Sequence, residues 1–400
     1  MLRSLLVVAL VSCVAITAAD GAVSIDPYAE QKVDSRRAAN DAVELRVKRL
    51  VDRYRTAVGL PPVALDLKLS KDCRAHAEYM RLNSDSAAMA GLNAHHERPN
   101  LPGASADGAT CGEAADLFFG VSDLEVAVDG WMATLYHRRP ILTPTLERIG
   151  VGYSRLRDGS YMAALMFVDA KGAGVSAKWP VAYPADDQRG VPIEFGSEVP
   201  NPVPSGARAG YPITIQFPPF DKITGVRAKL VDERGRDIEY YLSDPEHPAS
   251  SFGQYGVVSL IPKLPLRPES RYEVRVDATW NGKATTRRWS FTTVALRPVD
   301  ANDEDAITRA INVASTLRGP VLNGGMMEDG DSAFLQIGLR TGRRYKMVVI
   351  LMPRRVWSEL GGRSDSFLGR TVEVDGTPQL FQGAYIDIPI TVAGQLRIVQ

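Results

Sequence analysis

Asp129–Tyr153 reads DGWMATLYHRRPILTPTLERIGVGY, an apolar helical run, a short polar cluster and an apolar alternating run in one stretch. At its centre stands His137, one of five histidines, with Arg138 and Arg139 directly behind it and Trp131 before it. A histidine so placed serves either as a site residue or as a hydrogen-bonded wedge in a core. On the N-terminal side, Leu124, Ala127, Val128 and Trp131 form one helical face. Ser122 and Glu125 have the spacing of a capping box, and Val121 and Val126 that of a hydrophobic staple. The helix is predicted to end near His137, because Pro140 disfavours helix at Arg139. On the C-terminal side Ile149, Val151 and Tyr153 alternate as a strand, Arg157-Asp158-Gly159 turns the chain, and Tyr161–Val168 returns, which predicts a hairpin.

Further towards the N-terminus, Asp41 and Glu44 open a helix whose apolar face is Val43, Val47, Leu50, Val51, Tyr54 and Val58; Gly59 and Pro61-Pro62 end it. A second helix begins near Lys68 and places Leu69, Cys73, His76, Ala77 and Met80 on one side, so His76 reads as a core histidine. Asn83–Thr110 has no periodicity, and a loop of that length in a compact domain commonly carries function. His95, His96 and Glu97 lie inside it, and Cys111-Gly112-Glu113 closes it. Helices followed by a small sheet make this an α+β region.

The chain of 400 residues exceeds one ordinary core, so two or three domains are expected. Lys+Arg and Asp+Glu both number 47, which argues against a nucleic-acid binder, since that needs a basic footprint. Residues 1–19 have the positive start, apolar run and small-residue end of a signal peptide, with Thr17-Ala18-Ala19 before Asp20; residues 20–40 read as a spacer. Leu10-Val11-Ser12-Cys13 also fits a lipoprotein box, which would anchor the chain at Cys13. Either route takes the mature chain out of the cytoplasm, as a secreted, extracellular or periplasmic protein. There Cys73 and Cys111 either pair or stay as two buried thiols, and the sequence leaves both open.

Beyond residue 175 the pattern changes. Pro180, Pro184, Pro192, Pro200, Pro202 and Pro204 rule out helix over Lys178–Pro204 and predict an extended connector, with 176–194 as the linker proper. Over residues 195–296 the period becomes two: Ile213, Ile215 and Phe217; Val226, Ala228 and Leu230; Tyr272, Val274, Val276 and Ala278; Trp289, Phe291 and Thr293. With the Asn281-Gly282 hairpin turn this predicts an all-β sandwich. Leu266–Tyr272 and Trp289–Thr293 resemble the closing strands of bacterial immunoglobulin-like modules. Residues 297–316 read as a second linker. Residues 317–400 read as a small mainly-β domain with strands at Phe334–Leu339, Met347–Leu351, Thr371–Val374, Tyr385–Ile390 and Leu396–Val399, and a helical piece near Val356–Leu360. Leu368–Gly376 through Gly383 resembles the strand pair of an OB-type barrel; with few aromatic residues on its strands, a scaffold role is expected.

His95, Glu113 and His137 come from three separate places: the loop, its end and a helix terminus. Two imidazoles and a carboxylate suit a divalent cation such as zinc with one position open to water. Gly-x-Ser-x-Gly, His-Glu-x-x-His and phosphate-binding glycine loops are all lacking.

Gly59-Leu60-Pro61-Pro62-Val63, then Leu69, His76 and Met80, Ala94-His95, Gly112-Glu113, Trp131, His137-Arg138 and Ile149-Gly150-Val151-Gly152-Tyr153 resemble the ordered landmarks of the CAP superfamily, the cysteine-rich secretory, antigen 5 and pathogenesis-related proteins, in its bacterial extracellular branch. The resemblance covers about Asp41–Ala170 and implies a CAP domain over 41–175. It implies a three-layer α-β-α sandwich with a central cleft that often carries two His and two Glu. On this chain it assigns the loop histidine to His95 (His96 alongside), the Gly-Glu-Asn glutamate to Glu113 and the late histidine to His137. Two departures stand out: Ala114 replaces the Asn, and Ala133-Thr134 stand where the second glutamate would be, with Glu97 as a substitute. Three functions are expected, in this order. The first is an extracellular protein that binds a ligand, a partner or cell-envelope material through the cleft. The others are a metal-assisted hydrolase of peptide, lipid or cell wall, and a structural envelope component.

Overall fold

A computed structural model describes residues 43–400 except residues 122, 158, 170–177, 197, 205–208, 251–252, 312, 339–343, 382–383 and 400. The signal segment, Cys13, the spacer, Asp41 and Ser122 lie outside the described residues. No described helix is long and apolar enough to cross a membrane.

The first region contains α1 (Val43–Ala57), β1 (Ala64–Leu65), α2 (Leu67–Leu82), α3 (Ala106–Gly112), β2 (Ala115–Val121), α4 (Leu124–Met132), α5 (Arg138–Ile141), β3 (Leu146–Arg155) and β4 (Tyr161–Asp169). The sheet order is β1-β3-β4-β2, with the expected β3–β4 hairpin antiparallel at its centre. Alternation along β4 shows the layering. Ala163 and Leu165 join Val47, Leu50, Val51, Tyr54, Val128 and Trp131 in one apolar cluster. Met162, Ala164 and Met166 join Cys73, Ala77, Met80 and Cys111 in another. Successive side chains of a strand point to opposite faces, so helices cover both sides of the sheet and three layers result. The glycines of the IGVGY run are required by close packing: a Cβ on Gly152 would lie 2.0 Å from the Cys73 carbonyl carbon, and one on Gly150 2.4 Å from Leu69 Cβ.

Local signals hold with three corrections. Asp66 caps α2 by accepting from the Lys68 and Leu69 amides. The helix predicted to reach His137 stops at Met132, and Asp123 caps it by accepting from the Glu125 amide. Pro140 does not exclude helix: it sits in the single turn of α5, where its missing N–H is needed by no intrahelical bond. The long loop is also not without structure, since Ala87–Met89 and Gly91–His95 are 3₁₀ turns and α3 begins at Ala106.

The second region has two four-stranded sheets, β5-β7-β10-β9 and β6-β12-β11-β8. The strands are β5 (Val181–Tyr183), β6 (Gln188–Val191), β7 (Ile213–Gln216), β8 (Ile223–Asp232), β9 (Tyr240–Ser243), β10 (Val257–Pro262), β11 (Arg271–Trp280) and β12 (Lys283–Thr293). Asn281 and Gly282, both with positive φ, make the β11–β12 turn as read from the sequence. The proline-rich stretch read as a connector supplies β5 and β6, because prolines at 180, 184 and 192 fall just outside the paired residues. This region shares one apolar cluster with the first: Trp131, Met132, Ile141 and Leu142 pack in the same core as Tyr183, Tyr211, Ile213 and Ile215.

The third region keeps its own core. It contains β13 (Arg297–Asp300), α6 (Glu304–Ala310), β14 (Ser315–Met326), β15 (Ser332–Ile337), β16 (Met347–Pro353), α7 (Arg354–Glu359), β17 (Thr371–Gly376), β18 (Gln379–Phe381), β19 (Tyr385–Pro389) and β20 (Leu396–Val399). The order is β18-β19-β16-β15-β14-β17-β20, with β13 also on β14. β13 and α6 lie in the stretch read as a second linker. Strand β14 pairs with β17 through its first half and with β15 through its second.

Candidate functional site

The loop side is built from α2 outward. Cys73 and Cys111 form a disulfide across a sequence separation of 38, which ties α3 to α2. One turn after Cys73, His76 is buried, and its Nδ1 lies 3.0 Å from Glu97 Oε1. Burial pushes His76 down, and the Glu97 hydrogen bond and charge push only partly back. The other Glu97 oxygen accepts from the Ser105 amide at 2.7 Å. Glu97, considered as a substitute acid, is therefore spent on organising the loop. His95 ends the second 3₁₀ turn and donates Nδ1–H to the Gly112 carbonyl at 2.9 Å. Burial lowers its pKa; the Gly112 contact opposes this, and the nearby charges of His137, His76 and His96 add to the lowering. Gly112 must be glycine, since a Cβ there would lie 2.4 Å from His76 Cε1 and 2.7 Å from the His95 carbonyl oxygen. His96 and Glu113 are exposed, and Glu113 is the C-cap residue of α3.

The other side is built from α4. Trp131 is buried and donates Nε1–H to the Leu117 carbonyl at 3.2 Å, which fixes the helix on β2. After Met132 the chain turns, and Thr134 Oγ1 bonds back to the Trp131 carbonyl at 2.7 Å. The next three residues converge on one carboxylate. Glu198 accepts from the Leu135 amide at 2.7 Å, the Tyr136 amide at 2.9 Å and His137 Nδ1 at 3.0 Å. The Glu198 side chain is 0% exposed, whereas that of His137 is 17% exposed.

The two arginines behind His137 attach this turn to the sandwich. Arg138 is buried and donates to the Met132 carbonyl at 2.8 Å and to the Pro212 carbonyl at 2.6 Å. Its guanidinium lies 4.7 Å from the ring centres of both Tyr183 and Tyr211. Arg139 lies over Tyr255 at 4.3 Å. Such contacts are strong because an arginine cation is stabilised by ring faces once water is excluded.

Two acids act on His137, and neither was singled out from the sequence. Burial opposes its charge, but the Glu198 hydrogen bond and the charges of Asp116 and Glu198 outweigh burial and raise its pKa. Asp116, on β2, is buried, and its Oδ2 has no hydrogen-bond partner among the described residues. Burial pushes its carboxyl up to about 7, against the charges of His137 and Arg139. Asp116 had a faint signal, an acid inside the apolar run Ala115–Phe118. Glu198 had none, as it lies among prolines 61 positions beyond His137.

Of the trio expected from the sequence, His95 and His137 come within electrostatic reach of each other. Glu113 is not among the charges that act on either. Both histidines have Nδ1 engaged, and neither Nε2 has a hydrogen-bond partner among the described residues. Among the described residues, no three His, Cys, Asp or Glu side chains are grouped so as to hold a metal ion.

Comparison with curated proteins finds no match. Among solved structures, the chain is similar to an extracellular protein containing an SCP domain from Bacillus anthracis str. Ames, at 19% identity over 31% of this chain and 40% of that chain, with a TM-score of 0.24. The chain thus spans less than half the length of that protein. It is also similar to CopC from Methylosinus trichosporium OB3b, at 12% identity over 29% of this chain and 93% of that chain, with a TM-score of 0.21. The model of the CAP, or cysteine-rich secretory protein, family matches residues 48–168, the part in which the three layers, His95 and His137 lie. Residues 48–168 of this chain are a CAP domain.

Proposed function

We propose that this is an extracellular protein whose CAP domain binds a ligand or partner at a cleft bordered by His95, Asp116 and His137. The observation that carries the reading is the shared state of two imidazoles from separate elements. Each has Nδ1 engaged, His95 with the Gly112 carbonyl and His137 with Glu198, and each keeps Nε2 for a ligand. Two imidazole nitrogens, once unprotonated, favour a borderline divalent cation such as zinc, which would use His95 and His137, with Glu113 as a third ligand. An extracellular setting is supported by the Cys73–Cys111 disulfide, since such bonds persist in oxidising compartments. The two packed four-stranded sheets are read as an immunoglobulin-like module. The third region, in which β14 runs through two pairings, is read as an OB-like scaffold.

The experiment is elemental analysis of the purified full chain after exposure to zinc and calcium, with His95→Ala and His137→Ala beside it. Metal retained by the wild type and lost from both variants supports the reading; equal metal in all three overturns the cation part. A second reading, a metal-assisted hydrolase, is favoured by one observation: the Asp116 carboxyl, raised to about 7, is in the range useful to a general base at neutral pH. Turnover of ester, peptide or cell-wall substrates that is lost in Asp116→Asn would favour it over binding alone.

A further inference from the structure

We propose that the acid missing from the CAP domain is supplied from outside it: Glu198 is a positioning residue of the site and holds His137 as the Nδ1–H tautomer, with the Nε2 lone pair directed to the ligand. The position is defined by what surrounds it. Ala133 and Thr134 stand where the family places a carboxylate, and the segment carrying Glu198 crosses that place. Gly196 N–H donates to the Ala133 carbonyl at 2.8 Å. A Cβ built on Gly196 would lie 3.3 Å from Ala133 Cβ and Thr134 Cγ2. Val199 reaches the histidine loop, with Cγ1 3.7 Å from where a Cβ of Gly91 would be. The same segment is tied to the sandwich, where Phe195 N–H donates to the Ala209 carbonyl at 2.8 Å. It is tied to the third region as well, where Thr377 Oγ1 donates to Glu194 Oε2 at 2.8 Å.

The carboxylate is not a casual surface contact. A fully desolvated carboxylate is costly unless its oxygens are satisfied, and Glu198 has three donors, two amides and the imidazole. The amides fix both oxygens, so the remaining direction of Oε2 fixes the ring. In a neutral imidazole the nitrogen that faces an acceptor-only carboxylate carries the proton, and the other nitrogen keeps its lone pair. The groups that face His137 are Glu198, Thr134 Oγ1 at 3.5 Å from Nδ1, and Asp116, with His95 across the site. His95 is set the same way by Gly112, so each ring keeps one unprotonated nitrogen, and two such nitrogens would select an electron-poor ligand such as a divalent cation.

This rests on the reading that His95 and His137 form the site, and the test separates the two. Long-range ¹H–¹⁵N spectra of the full chain are recorded near pH ~9, above the ordinary imidazole range, with His137→Ala for assignment. The expected result is Nδ1–H at His137 in the wild type and conversion to Nε2–H in Glu198→Ala, which leaves no acceptor at that place, with zinc affinity lowered about 10–100-fold, as for loss of an orienting carboxylate. An Nε2–H wild type overturns the proposal, and this needs no variant to fold. An unchanged tautomer, or unchanged zinc affinity, in a folded Glu198→Ala also overturns it. A wild type that binds no zinc defeats the cation reading above and leaves the tautomer result to decide this one.

Discussion

His95 is held by its neighbours in sequence, and His137 by residues far downstream. The His95 side uses Gly112, the Cys73–Cys111 bond and the His76–Glu97 pair, all inside the CAP domain. The His137 side uses Glu198, at a sequence separation of 61, and sits against Arg138, whose partner Pro212 is 74 positions away. The difference teaches that one half of the candidate site is held from within residues 48–168 and the other by the way that domain is joined to the sandwich.

Breaking each side in turn tests that division. The largest effect is expected on the His95 side, from Cys73→Ala with Cys111→Ala. A crosslink across 38 residues restrains the unfolded chain, so its loss should cost about 4 kcal/mol in urea denaturation, and the first region should become sensitive to reductant only in the wild type. Next comes the His137 side. Arg138→Met leaves the Met132 and Pro212 carbonyls without their cation and removes both ring contacts, an expected loss of about 3 kcal/mol. Hydrogen exchange should place that loss at the turn 133–137 and at β7, leaving the loop 91–97 protected. A smaller loss, about 2 kcal/mol, is expected for Gly112→Ala, which forces a methyl against His76 and the His95 carbonyl; here the loop should be the part that opens.

The last effect is a slope with pH, smaller over any one pH unit than the losses above. The folded Asp116 carboxyl titrates at about 7, above its ordinary value, so the fold favours the protonated form. Its contribution is fully present below about pH 3.9 and is lost as pH rises through about 7. The raised pKa of His137 acts in the same direction, stability falling as pH rises through it. Asp116→Asn should flatten the stability profile between those limits by up to about 1 kcal/mol per pH unit, and denaturation midpoints across a buffer series measure it.

Legibility in the sequence divides along the same line. His76 on the inner face of α2, the hairpin β3–β4, the Asn281-Gly282 turn and the alternation of β11 are local patterns, and each is present. His95 and His137 could be singled out because the landmarks of the resemblance come in a fixed order. Glu198 could not, since nothing near a glutamate among prolines reports a histidine 61 positions earlier. Strand β14 was missed because Gly319-Pro320 and Asn323-Gly324-Gly325 interrupt its alternation, although pairing with β13, β15 and β17 keeps it extended. Strands β5 and β6 were hidden by the same prolines that bound them. Glu113 has a regular place in the motif, and its side chain is exposed at the end of α3.

The buried Arg138 has a consequence for how the molecule is made. A chain is synthesised from its N-terminus, so residues 48–168 exist before Tyr183, Glu198, Tyr211 and Pro212 do. Until those residues arrive, the guanidinium lacks its rings, and the amides of Leu135 and Tyr136 lack their acceptor. The second half of the site is thus finished only after the sandwich begins to form. A recombinant fragment cut at the family boundary would stop short of that step, and a portable version of this domain has to extend beyond Pro212.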